Sequence, residues 1–160
     1  MIRDPARRGK ALAELFLELS PRLFEEIVGA GAWPQDAGPS TASTARAEWD
    51  CFALYACVRG LVAAGGFNRE TAAAIDALHE GALDPDAAAM KALASERYAE
   101  YGAIGQEGGK AGAASVAQRL GEAAARHMIA GEPAPALIEL VGSLHESLAE
   151  GAAEAVRQAQ

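Results

Sequence analysis

A chain of 160 residues with a hydrophobic fraction of 51% has the size of one domain and enough apolar side chain to build a core, which excludes a disordered chain. Its 22 acidic against 14 basic residues leave a net charge of −8, and this sets nucleic acid aside as a partner, because its binders concentrate Lys and Arg on one face. Alanine is abundant and β-branched residues are sparse, so summed propensity favours an all-α fold, a single-domain antiparallel helical bundle of about six helices spanning residues 1–160.

Residues 1–9 carry Arg3, Arg7 and Arg8, with Lys10 just beyond, and read as a mobile, solvated end. Leu12, Phe16, Leu19, Leu23 and Ile27 then recur at steps of four and three, the stripe of a first helix. Glu14 and Glu18 interrupt the apolar run, and no small-residue cleavage site follows. No export signal is therefore expected, and the expected location is cytoplasmic. Ser20-Pro21 lies within the stripe and predicts either two short helices, capped at Ser20, or a sharp kink. Residues 29–43, with Pro34 and Pro39, read as a long loop that Trp33 anchors on the core.

The second helix, from Thr44 to Ala64, starts with Glu48 and Asp50 near the positive end of its dipole. It then turns apolar on every side through Trp49, Phe52, Leu54, Tyr55, Val58 and Leu61, the pattern of a central, buried helix. Cys51 and Cys57 are separated by about 9 Å of helical rise and face different ways, so they cannot pair with each other and read as buried reduced thiols, with an intermolecular bridge as the alternative. The run from Cys51 to Phe67 is too short for a membrane span and contains Arg59. Gly65-Gly66 ends the helix, Asn68 caps the third, and Ile75, Leu78 and Ala82 give that helix its inner face.

Asp84-Pro85 reads as N-cap and first residue of the fourth helix, with Met90, Leu93, Arg97, Tyr98, Tyr101 and Ile104 on its inner side and rim. Gly102, Gly105, Gly108, Gly109 and Gly112 predict a flexible joint. Gly109-Lys110 is the dipeptide of a phosphate loop, but Ile104 stands where a glycine is needed, Ala111 where a Mg²⁺-binding hydroxyl is needed, and no strand leads in. A fifth helix, from Ala113 to Ala130, carries Val116, Leu120, Ala124 and Met128, with Gly131 past its end. Pro133 and Pro135 open the last helix, striped by Leu137, Val141, Leu144 and Leu148. Gly60, Gly121 and Gly142, inside helical segments, predict close helix packing.

His79-Glu80 and His145-Glu146 each follow a leucine, and Asp76 shares a helix face with His79. Asp76, His79 and His145 are the candidate metal ligands, with Glu48, Asp50 and His127 available to complete a site for a divalent transition metal. Gly142 stands three residues before His145, so the paired carboxylate-x-x-His geometry of di-iron bundles is half present. The competing reading has each imidazole half buried and hydrogen-bonded, with no cofactor. Arg97, Tyr98, Glu100 and Tyr101 offer the lining of a polar cleft as one reading, but Arg and Glu at this spacing read first as a solvated helix rim. No Gly-x-Ser-x-Gly occurs, and neither cysteine has a histidine partner in sequence, so the expectation is a non-catalytic protein.

The leading functional expectation is a helical protein acting through an interaction surface, as a homodimer sharing apolar helix faces. The alternative is a small-molecule- or metal-binding bundle whose pocket is lined by Trp49, Tyr55 and Tyr101 with His79 and His145. Neither nucleic acid nor a membrane is an expected partner. A helical transcription regulator is disfavoured because the first thirty residues hold no basic helix-turn-helix.

Overall fold

In a computed structural model of the chain, which describes residues 2–36, 39–108 and 113–158, every regular element among the described residues is a helix. They are α1 (Pro5–Gly29), α2 (Pro39–Gly65), α3 (Arg69–Ala82), α4 (Ala88–Gly108), α5 (Ala113–Met128) and α6 (Pro135–Gln158). The expected all-α bundle is present. Helix α2 is its axis and packs against each of the other five. Trp49, Phe52, Leu54, Ala56 and Cys57 are all fully buried, so α2 is enclosed over most of its circumference there, with only Asp50 and Tyr55 half-buried between them. Cys51 and Cys57 are buried and unpaired, as expected.

Successive helices reverse direction. Ser20 meets Asp50, and Arg8 lies against Gly65, across α1 and α2. Glu107 meets Arg119, and Glu100 meets His127, across α4 and α5. The alternation leaves α2 and α6 running the same way, and α6 meets α2 and α5 at the glycines the sequence singles out. A Cβ on Gly60 would stand 2.6 Å from Ala152 Cβ and 2.9 Å from Ala153 N, and one on Gly121 2.7 Å from Ile138 O. Any side chain there would push α6 off its neighbours.

Helix α1 starts at Pro5, within the basic N-terminal stretch, and residues 2–9 hold defined contacts. Asp4 caps α1 by accepting the Ala6 N–H at 3.2 Å, and Ile2 N–H donates to Val156 O at 3.0 Å. Arg8 is buried, its guanidinium folded back onto the carbonyls of Ile2 and Arg3, which its place in a basic cluster does not reveal. Helix α1 also runs unbroken past Pro21, so Ser20 is an interior residue and not a cap. Its hydroxyl donates to Asp50 Oδ1 at 2.7 Å, and its carbonyl accepts Trp49 Nε1–H at 3.1 Å. The carbonyl that Pro21 deprives of a partner belongs to Leu17, a residue 54% exposed, where water can serve it.

The stretch 29–43 is loop only in part. Helix α1 reaches Gly29 and α2 begins at Pro39, a residue suited to a first helical turn, and residues 37–38 lie outside the described ones. Trp33 does anchor the segment, buried and edge-on to Phe24 at 6.1 Å. Asp84-Pro85 forms a turn before α4 instead of starting it: Asp84 accepts the N–H groups of Asp86 and Ala87, each at 2.9 Å, and the helix begins at Ala88. Gly102, Gly105 and Gly108 belong to α4, and Gly108 lies directly against Val116 of α5. Gly109, Lys110, Ala111 and Gly112 lie outside the described residues. Helix α5 ends at Met128, and Gly131 takes the left-handed φ of +87° that its role past the helix end requires. Among the described residues no helix is long and apolar enough to cross a membrane.

Candidate functional site

Aromatic residues at positions 49, 52 and 55 lie along one side of α2, and Tyr98 and Tyr101 of α4 pack onto them. Phe52 is the hinge of this layer, with its ring 6.2 Å from Trp49, 5.1 Å from Tyr101 and 3.9 Å from His145, on which it stacks. Tyr55 sits 5.5 Å from Tyr101, 6.0 Å from His145 and 5.4 Å from Tyr98. The layer ends at His79 of α3, whose Nε2 is 2.9 Å from the Tyr98 hydroxyl. Trp49, Tyr55, Tyr101, His79 and His145 are thus brought into one continuous cluster.

Its inner half is closed to solvent. Trp49, Tyr101 and His145 are fully buried. His145 Nδ1–H donates to Phe52 O at 2.9 Å, which leaves Nε2 without a partner among the described residues, as is the Tyr101 hydroxyl. Burial, reinforced by the positive charge of Arg59, pushes the His145 pKa down to about 3, so this ring is neutral at every physiological pH.

The ligands considered for a metal do not converge. Asp76 is exposed on α3 and touches His79 only through its field, and among the described residues no three His, Cys, Asp or Glu side chains come together as a cation site. The supplementary ligands are engaged elsewhere. Glu48 accepts two hydrogen bonds from Arg97, both 2.8 Å. Asp50 holds Ser20 and Arg46, and His127 faces Glu100 at 2.7 Å. Arg97 and Glu100 are therefore inter-helix partners and not the solvated rim their spacing suggests. Nor do the thiols offer a nucleophile, since burial, with Glu48 and Asp50 beside Cys51, raises both cysteine pKa values to about 12.

The outer half of the aromatic layer opens into a cleft. No Cα of α3 comes within 8 Å of α4, although the two are consecutive, and the gap between them encloses about 510 Å³. His79 and Tyr98 form its floor, Leu83, Pro85 and Ala94 its apolar walls, and Glu80, Lys91 and Ser95 its rim. Burial lowers the His79 pKa against the pull of Asp76, and burial raises that of Tyr98, so both floor residues are uncharged at neutral pH. A neutral imidazole and a neutral phenol hold one N–H and one O–H between them. One is used in their mutual bond, so either tautomer leaves a single donor for another acceptor.

A larger hollow of about 760 Å³ lies between α5 and α6, but it carries Glu122, Glu139 and Glu146 on its walls and no aromatic or histidine side chain. The α3–α4 cleft joins apolar walls to a convergent polar pair. Sequence reasoning missed its walls because Leu83 and Pro85 lie in the turn taken for a helix start. Lys91, Ala94, Ser95 and Tyr98, at steps of three and four, gave the available signal. The chain matches no protein-family model, no curated protein and no solved structure, so the reading of the site rests on this geometry alone.

Proposed function

We propose that the chain is a small-molecule-binding helical module, and that its ligand lies in the α3–α4 cleft as a mainly apolar body with one hydrogen-bond acceptor. The observation that carries this reading is the separation of two consecutive helices across a cleft of about 510 Å³, bridged at its floor by the His79–Tyr98 hydrogen bond. That volume lies within the range of small-ligand pockets, and the mix of apolar wall with a few polar groups is the composition such pockets have. Chemical-shift mapping against a set of small aromatic and alicyclic compounds tests it. Binders are expected to move the signals of Leu83, Ala94 and Tyr98. Leu83→Trp, which fills the cleft from a half-buried wall, is expected to weaken them at least about tenfold. Compounds that bind equally well to Leu83→Trp would refute the assignment.

A second reading, a helical protein acting as a homodimer, is supported by Leu17. This leucine of α1 is 54% exposed and borders a groove of about 330 Å³ shared with Pro21, Leu83 and Met90. Light scattering at high concentration is expected to give twice the chain mass, and Leu17→Lys to return it to one; a monomer throughout removes this reading.

A further inference from the structure

The start of α1, the turn between α2 and α3, and the close of α6 meet at one end of the bundle. Ile2 N–H donates to Val156 O at 3.0 Å, Arg157 Nη2 to Ala63 O at 3.2 Å, and Arg8 reaches Glu70 at 3.9 Å. At the tip of that end stands Phe67, 94% exposed. The ring is held outward by a defined turn. Gly66 takes a φ of +78°, Asn68 Nδ2 donates to Gly65 O at 2.7 Å, and Asn68 Oδ1 accepts the Thr71 N–H at 2.9 Å.

The charges at this end run against those of the molecule. Arg3, Arg7, Arg69 and Arg157 are exposed on a chain of net charge −8, and Arg3, Arg7 and Arg69 form no ion pair among the described residues. Elsewhere arginines are matched: Arg22 with Glu18, Arg46 with Asp50, Arg119 with Glu107 and Arg126 with Glu122. Of the acids at this end, Asp4 is occupied as the cap of α1, Glu70 is drawn towards Arg8, and Glu154 accepts the side-chain N–H of Gln158, which leaves the arginines in excess.

We propose that this end of the bundle docks on an anionic lipid bilayer, with Phe67 entering the interface and the four arginines resting on the headgroups. The aromatic ring and the cations must be explained together. The outer surface of duplex DNA or of a polyglutamate chain would satisfy the arginines but offers Phe67 no apolar layer, whereas a bilayer supplies anionic headgroups and an acyl boundary within one ring's depth. The acidic remainder of the surface is repelled by the same bilayer and turns the basic end towards it. The contact is superficial and calls for no spanning helix.

Flotation of the full chain with vesicles tests the proposal, using phosphatidylserine mixed with phosphatidylcholine against phosphatidylcholine alone. Binding is expected only to the anionic vesicles and is expected to weaken as salt is raised. Phe67→Ser should lower affinity roughly tenfold or more, and the pair Arg3→Glu and Arg69→Glu at least about tenfold. All three side chains are exposed, so unchanged thermal melting of the variants is the control for folding. Absence of binding to anionic vesicles at low salt would overturn the proposal, as would equal binding to both vesicle types. Binding to duplex DNA or polyglutamate that matches vesicle binding and ignores Phe67→Ser would also overturn it, in favour of a soluble polyanion.

Discussion

Replacing Arg97 with Ala should lower the unfolding free energy by about 3–5 kcal/mol, enough to consume a large part of the stability of an ordinary domain. The Glu48 and Arg97 side chains are only 6% and 13% exposed, and two parallel N–H···O bonds of 2.8 Å join them. Removing the guanidinium leaves a carboxylate enclosed beside Cys51 and Tyr101, where water cannot take over both bonds. The cost arises from the orphaned charge more than from the lost pair. Glu48→Leu combined with Arg97→Met should therefore recover most of the loss, since a pair of apolar residues needs neither desolvation nor partners. Urea denaturation of Glu48→Leu, Arg97→Met and the double variant closes a cycle that measures the coupling; a cost below about 1 kcal/mol for Arg97→Ala would mean that the pair behaves as a surface ion pair.

The same pair governs the cleft. The backbone of α4 approaches only those of α2 and α5, and its sole fully enclosed large side chain is Tyr101, one turn beyond Arg97. Arg97 fixes the rotation of α4 about its own axis. It thereby sets Tyr98, the next residue along, against His79 and at the floor of the gap. Weakening the Glu48–Arg97 pair is expected to blur the cleft before the rest of the bundle melts, because α3 reaches the core through α1 and α2 and has no backbone contact with α4 to lose.

Legibility in the sequence followed the range of the interactions. Apolar periodicity predicts the helices because each stripe reports on its own segment, and the Asn68 cap and Gly131 are equally local. Ser20-Pro21 misleads because its helical state depends on Trp49 and Asp50, some thirty positions away. Arg8 misleads because a basic cluster announces exposure, while this one guanidinium has two carbonyls within reach. The aromatic and histidine residues of the site are visible as a set, since large rings in an alanine-rich helical chain must share the available interior. Their division into a buried inner half and an open outer half was not visible, because it depends on the separation of α3 from α4. That separation is set by the turn at Asp84-Pro85, which occupies residues a tighter helix start would have saved.

Acid should destabilise the protein through His145. Its folded-state pKa of about 3 lies well below the value near 6.5 of an exposed imidazole. Above about pH 6.5 both folded and unfolded states carry the neutral ring, and His145 adds no pH dependence. Below that value the unfolded chain binds a proton that the folded one refuses, so stability falls with pH until about pH 3, by up to about 1.4 kcal/mol per pH unit. Between about pH 7.5 and 4.5 the loss attributable to this residue is about 3 kcal/mol. Carboxylates and the partly buried His79 contribute their own slopes, so the diagnostic quantity is a difference. His145→Phe keeps a flat ring against Phe52 and costs only the Nδ1–H bond, whose acceptor lies inside α2 and retains its helical partner. The stability of the wild type should fall relative to that of the variant by about 3 kcal/mol between pH 7.5 and 4.5, more than the single lost hydrogen bond costs, so their urea midpoints should approach and then cross. Parallel slopes from pH 7.5 to 4.5 would show that water reaches Nε2 or that the core relaxes to admit the charge, and would place the acid sensitivity elsewhere.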